Sequence, residues 1–474
     1  MTIDRILVLS ELRRTVAELF LPELTGAEAI DAAALVDRIL VQLILADDPS
    51  AAPPDIVAGF AAELGDDASG PSEGASGLAR LRSAAADAVA GAAAIDDRER
   101  RLLELERELV ERSDARRVEL AALRPSAATA TPSRCSVTAD EFTSYLRRRF
   151  PASPGLEVTG LSVLPGGRSK ETILVSLRDT AELPAEVVLR KDRPVGLLQT
   201  RAADELAVLR AVYDFGGVPV PEPFFAEEEG HGLGEGTFEV MARVAGAKAG
   251  EYFPDLAAPT EHRVAIGTQL AEALGRLHSM PLERLATTGL AAPDGCVVAD
   301  AMTAAVDGML RRLGEMEGPA LVSAPAARRW LIEHVDLVTG DGRLCLLQGD
   351  VGLHNTLVDG ARLTALLDWE SAAIGPPARE LAGVRAAAAA LMPWSDFLAA
   401  YAGAGGPLDD VDDAAISWYR LFGALGATMM SRQGAHLFTT GAKRDLLTAH
   451  SGLDSQFRTA RNLTRVLNEV MTLA

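Results

Sequence analysis

Lysine is nearly missing from this chain. Only Lys170, Lys191, Lys248 and Lys443 occur among 474 residues that carry 46 basic and 67 acidic side chains, so arginine meets almost every cationic need. The formal net charge is −21, and its excess is spread along the chain. A chain basic in neither half is poorly made for a sequence-independent grip on nucleic acid or for an anionic membrane surface, and neither partner is expected. Cysteine is scarce too: Cys135, Cys296 and Cys345 lie far apart and form no CxxC, which excludes a zinc framework and a disulfide scaffold. Aromatic residues are few, at 5%. No uninterrupted apolar run is long enough to span a bilayer. Asp4, Glu11, Arg13 and Arg14 in the first turns are wrong for a secretory signal. A reduced, cytoplasmic protein is the expectation.

The length is too great for one compact core. Up to about Glu119 the apolar residues recur at helical spacing, as in Ile6, Leu9, Leu12, Val16 and Phe20. The stretch ASGPSEGASG, Ala68 to Gly77, reads as a flexible break. RERRLLELERELVERSDARRVEL then reads as a long helix supported by internal Glu–Arg pairs. RPSAATATPSR has linker composition. These features predict an all-helical N-terminal domain over residues 1–123, a linker over 124–136 and a second domain over 137–474. The second domain opens with a capped helix, VTADEFTSYLRRRF. It continues with alternating strands (EVTGLSVLPGG, ETILVSL, AEVVLRKD, FEVMARV) around one helix, and turns mainly helical after Pro259.

Two short apolar strands in that helical part each end in an acid: RLCLLQGD and LTALLDWE. Asp350 precedes Asn355 by five residues, and Asp368 ends the next strand. That interval suits phosphoryl transfer. In kinase catalytic loops an aspartate accepts the hydroxyl proton, an asparagine five residues later binds magnesium, and an aspartate on the following strand binds it too. Magnesium needs hard oxygen ligands and few protein groups, so one carboxylate and one amide oxygen suffice.

Here the chain resembles the aminoglycoside phosphotransferase-like family, the small-molecule branch of the kinase-like fold. The family pattern H-G-D-x-x-x-x-N followed by [ILV]-D-[FW]-E appears as QGDVGLHN and LLDWE, and the resemblance covers roughly residues 137 to 470. It implies an α+β, bilobal protein-kinase-like domain with a small antiparallel-sheet N-lobe over about 137–243 and a mainly helical C-lobe over about 244–474. It also implies ATP and Mg2+ as cofactors, with Asp350 as the catalytic base and Asn355 and Asp368 as magnesium ligands. Gly166, Gly167 and Ser169, in LPGGRSKET, would approach the phosphates. Arg190 in VVLRK would be the phosphate-binding cation, with Lys191 on the other face of the strand and Glu205 as helical partner. Met241 would line the adenine pocket, and the backbones of Ala242 and Val244 would bond the base. GPPARELA resembles the family's G-D-P-x-x-D-L-A, with Pro376 and Glu380 replacing two acids.

Gln348 stands where the family has histidine, and an amide there can still prop the loop by hydrogen bonds. His354, Glu370, Trp418 and Tyr419 are candidates for loop support or for lining an acceptor site. LLDWESAAIG resembles more closely the branch that phosphorylates hydroxylated metabolites, including kinase domains fused to acyl-CoA dehydrogenases. The expected reaction is transfer of the γ-phosphoryl group of ATP to a small-molecule hydroxyl, first of all one on a hydroxyacyl-CoA or related alcohol. Two alternatives stay open: an antibiotic phosphotransferase acting on an aminoglycoside or macrolide, and a catalytically silent nucleotide-binding scaffold. The N-terminal helices, which match no catalytic motif, offer a surface for a homodimer.

Overall fold

The computed structural model describes residues 5–16, 33, 36–37, 39–41, 53–65, 74–92, 95–122, 135–164, 170–192, 201–228, 232–234, 236–250, 259–290, 299–339, 342–408, 411–442, 446–449, 452–453 and 455–473. In chain order the first helices are α1 (Arg5–Thr15), α2 (Pro54–Leu64), α3 (Gly74–Gly91), α4 (Asp97–Ala122) and α5 (Ala139–Arg149). Strands β1 (Glu157–Leu164), β2 (Lys170–Arg178) and β3 (Glu186–Asp192) follow, then α6 (Ala202–Phe215), β4 (Pro223–Glu227), β5 (Phe238–Ala242) and β6 (Ala247–Lys248). After α7 (Thr260–His278), α8 (Ala299–Glu315) and α9 (Ser323–Glu333) come β7 (Cys345–Leu347), β8 (Thr356–Asp359), β9 (Arg362–Leu366) and β10 (Ala373–Gly375). The chain closes with α10 (Pro377–Leu391), α11 (Trp394–Gly403), α12 (Asp413–Thr439), α13 (Leu446–Ala449) and α14 (Ser455–Leu473).

The fold divides into two compact units: one boundary falls within the expected linker, between Thr131 and Pro132, but the first helices share their unit with two later segments. One unit joins Met1–Thr131 to Val298–Thr339 and Ser417–Ala474; the other holds Pro132–Val297 and Gly340–Ile416. The segment 1–123 is therefore not a domain by itself, and 244–474 is not one continuous lobe. Glu106 of α4 shows why. Its carboxylate is wholly buried and accepts the backbone N–H groups of Val322 (2.7 Å) and Ser323 (2.6 Å), capping α9 from another helix. The first N–H groups of a helix have no partner within it, so a borrowed carboxylate there satisfies donors and the helix dipole together. Arg461 of α14 likewise reaches Asp114 of α4 at 2.6 Å. The expected break at Ala68–Gly77 also shifts, because α3 already begins at Gly74. The expected helical periodicity through Phe20 runs past the described residues.

The other unit carries a five-stranded antiparallel sheet in the order β1-β2-β3-β5-β4. Thr138 and Glu141 form a reciprocal capping box that starts α5. Phe142, Tyr145 and Leu146 of that helix pack on one face of the sheet, against Ile173, Val175, Val187, Leu189, Phe238 and Val240. Strand alternation then fixes the opposite face. Lys170 pairs in register with Asp192, Thr172 with Arg190, and Arg190 with Glu239, so Lys170, Arg190, Asp192 and Glu239 all project away from the apolar layer. The sheet is apolar behind and charged in front. Two smaller antiparallel ribbons, β10-β7 and β6-β8-β9, carry the remaining strands.

Candidate active site

The 3-10 turn Leu353–Asn355 and the strands on either side of it bring the spaced acids together. Asn355 is buried, and its Nδ2 donates to Asp350 Oδ2 and to the Asp350 carbonyl, both at 3.0 Å. His354 Nε2 lies 3.2 Å from the same Asp350 Oδ2. With Oδ2 held twice, Oδ1 is the Asp350 atom turned to other use. The amide nitrogen of Asn355 is likewise committed, which leaves its oxygen as the atom turned to other use. Asp368 sits in the left-handed region at φ 64°, a conformation costly for a residue with a side chain and recurrent at functional sites.

Gln348 ties the two loops together. Its amide Nε2 donates to the carbonyls of Leu367 (2.9 Å) and Asp368, while its Oε1 accepts the Asp350 N–H at 2.8 Å. Glu380 of α10 holds the same turn from behind, accepting Gln348 N–H at 2.9 Å and Gly349 N–H at 2.8 Å. A further layer supports Glu380: His278 Nε2 lies 3.2 Å away, and His278 Nδ1 is 2.8 Å from the Tyr401 hydroxyl. The sequence makes His278 a packed helical residue and gives no hint of this relay, because its partners come from α10 and α11. Gly349, at φ 90°, cannot carry a side chain. A Cβ there would stand 2.1 Å from the Ser371 carbonyl oxygen.

The charged front of the sheet meets this turn at Asp368. Arg190 Nη2 lies 2.6 Å from Asp368 Oδ1, and Nη1 bonds Glu239 Oε1 at 3.1 Å and Glu205 Oε1. Lys170 Nζ lies 2.8 Å from the second Glu205 oxygen, with Glu239 and Asp192 at 3.8 Å. Burial would strip the charge from Lys170 and Arg190, but the facing carboxylates outweigh it and raise both above their ordinary values. Burial would also push Glu205 up, yet Arg190 and Lys170 hold it below the usual carboxylate range. Glu239 takes the opposite course. Burial, then the Glu205 charge, pushes its carboxyl up to about 8.

The sequence-derived candidates do not all converge. Asp350, Asn355, Asp368, Gln348, His354, Arg190 and Glu205 converge as described. Met241, Ala242 and Val244 follow Glu239 at the end of β5, and the Ala242 N–H is spent on the Glu222 carbonyl at 2.8 Å. Glu370 is half-buried one residue past Trp369. Gly166, Gly167 and Ser169 lie outside the described residues. Trp418 and Tyr419 need correction as acceptor-lining residues, because both are buried in the packing of the unit that contains the N-terminal helices. Trp418 has no exposed surface, stacks on Phe422 and donates its indole N–H to the Leu331 carbonyl at 2.8 Å. Lys170 and Glu239 were missed. The available signal was a rare lysine directly after LPGGRS and a lone acid in an apolar strand.

Among the described residues no three His, Cys, Asp or Glu side chains form a self-sufficient metal cluster. One carboxylate, Asp368, and one amide oxygen, on Asn355, fit a magnesium ion that takes its other oxygens from phosphates and water.

Sheet, turn and helices together define a kinase-like phosphotransferase. The model of the phosphotransferase enzyme family matches residues 160–421, more than half of the chain, and the protein belongs to that family. Among solved structures it resembles a candidate aminoglycoside phosphotransferase from Ralstonia eutropha. The TM-score is 0.51 at 15% identity, covering 69% of this chain and 98% of that one, a likeness of fold. Among curated proteins it is similar to acyl-CoA dehydrogenase family member 11 of Rattus norvegicus, 27% identical over 248 residues. It is also similar to the Homo sapiens protein of that name, 30% identical over 205 residues. The matched stretches are 50% and 41% of this chain but only 30% and 24% of those longer proteins. No described helix is long and apolar enough to cross a membrane.

Proposed function

We propose that this phosphotransferase uses Mg2+ and ATP to phosphorylate a hydroxyl of a small molecule, with a hydroxyacyl-CoA or related hydroxylated metabolite as the first acceptor class. The observation that carries the reaction type is the Asp350–Asn355 pair facing Asp368 across the Gln348 bridge. Asn355 and His354 fix Asp350 through Oδ2, so Oδ1 orients the acceptor hydroxyl and receives its proton. Asn355 Oδ1 and the Asp368 carboxylate would hold magnesium, which neutralises phosphate charge when bound. Arg190 adds a guanidinium beside Asp368 for the α- and β-phosphates, a planar cation always charged. Since the Ala242 N–H is taken, adenine contact at that residue falls to its carbonyl, with Met241 beside the base. Two similar curated proteins bear the name of an acyl-CoA dehydrogenase family member, which supports the metabolite class over an antibiotic.

The test is Mg-dependent phosphate transfer from ATP to a panel of 3- and 4-hydroxyacyl-CoA esters, aminoglycosides and macrolides, read by mass spectrometry of the acceptor. Phosphorylated hydroxyacyl-CoA is the expected product. Transfer only to the antibiotics would refute the acceptor class, and no Mg-ATP turnover with any acceptor would refute the reaction.

A further inference from the structure

Glu205 is shared between two cations, one on each carboxylate oxygen. Arg190 takes Oε1 and Lys170 takes Oε2. The two cations are unequally placed. Lys170 is only 3% exposed, and the three carboxylates within 3.8 Å of its ammonium close around it. Arg190 stands at the rim, with one arm on Asp368, itself a third exposed. Arg190 is also overcommitted, since a single guanidinium serves Glu205, Glu239 and Asp368. A magnesium-bound nucleotide at Asp368 would compete for that arm, and Glu205 would then have to be held by something else.

We propose that Lys170 is a positioning residue of the nucleotide site, holding Glu205 and α6 in place so that Arg190 is released from Asp368 toward the phosphates. This inference rests on the Mg-ATP reading above. The placement of Lys170 fits the task in two further ways. It is the first residue of β2, on the same face of the sheet as Arg190 and Glu239, so it holds Glu205 from the strand next to the one that carries Arg190. It is also one of only four lysines in a chain that carries 46 basic side chains. Glu239 completes the arrangement: its Oε1 lies 3.1 Å from Arg190 and 3.8 Å from Lys170, between the two cations.

The experiment is calorimetric titration with MgATP of the full chain carrying Lys170→Met, Glu205→Gln, both together, or Lys170→Arg, with folding checked by circular dichroism. Lys170→Met is expected to weaken MgATP binding about tenfold or more, the equivalent of 1.4 kcal/mol. The double variant is expected to bind no worse than the weaker single variant, because Lys170 acts through Glu205. Lys170→Arg keeps charge and donor and is expected to stay close to wild type, which preserves a readout should Lys170→Met not fold. Wild-type affinity in Lys170→Met would overturn the role, and so would losses that multiply in the double variant or a folded Lys170→Arg that no longer binds. If the wild-type chain itself does not bind MgATP, the functional reading falls and takes this role with it; if wild type binds and the variant binds equally, only the role of Lys170 falls.

Discussion

Arg190 and Asp368 stand 178 positions apart in the chain, yet the guanidinium Nη2 lies 2.6 Å from the carboxylate Oδ1. The contact links the charged face of the sheet to the loop that Gln348 ties to Asp350. Removing one partner of a buried ion pair strands the other, at a cost of about 3–5 kcal/mol where burial is complete. Arg190→Ala is therefore expected to lower stability and to weaken MgATP binding. Lys191, on the apolar side of the same strand, should matter less to binding when changed to alanine. The opposite ranking in nucleotide titrations would place the phosphate cation at Lys191.

Asp350→Asn keeps the shape of the turn and its contacts with Asn355 while removing the proton acceptor. A positioned general base contributes typically about 10²–10⁴-fold in rate, so turnover should fall by that order while MgATP still binds. Single-turnover measurements with any active acceptor decide this. Near-normal turnover would deny Asp350 its role.

Gln348→Ala should slow turnover by loosening both loops at once, since three hydrogen bonds of its side chain are lost. Each is worth about 1 kcal/mol net, more where a buried partner is stranded. The melting temperature should drop together with kcat. An unchanged melting curve would mean that the turn does not depend on the bridge.

The buried Glu239 carboxyl makes stability pH-dependent in a definite sense. Its folded-state pKa is raised to about 8, above roughly 4.3 for an unfolded chain. Its contribution is complete below the unfolded value and declines as pH rises toward 8, at up to about 1.4 kcal/mol per pH unit. Glu239→Gln, neutral at every pH, should lack that decline. Urea unfolding of both proteins at pH 6, 7 and 8 should show the wild type losing ground to the variant; parallel curves would contradict a protonated Glu239.

Glu106→Ala leaves the first N–H groups of α9 without a cap and should cost about 2 kcal/mol, the upper range for a lost N-cap. Denaturant midpoints of the intact chain read this directly. A loss within error would mean that water replaces the carboxylate.

The candidate site was legible because its residues are local. Asp350, Asn355 and Asp368 fall within nineteen consecutive positions, and a short strand–turn–strand path leaves them few ways to arrange. The sheet and α5 were legible from alternation and capping for the same reason. Lys170 and Glu239 were not, since their meaning depends on cross-strand register, which decides which face of the sheet each residue takes. The His278–Glu380 support was hidden because it joins three helices. Least legible was the domain plan. A proline- and alanine-rich stretch near residue 130 reads as a boundary and one falls there, but Glu106 reaches its partner amides across 216 positions of chain, and no window along the sequence shows which later segments join the first helices.

That same interleaving governs how the protein must be made. Asp114 leaves the ribosome 347 residues before Arg461, its partner on the last helix. The unit that holds both therefore cannot close until Arg461 has been made, whereas the unit that carries the sheet has all its segments in hand by Ile416. Helices α1 to α4 wait for the rest of their core while the intervening unit is synthesised, and they must keep their apolar faces from aggregating meanwhile.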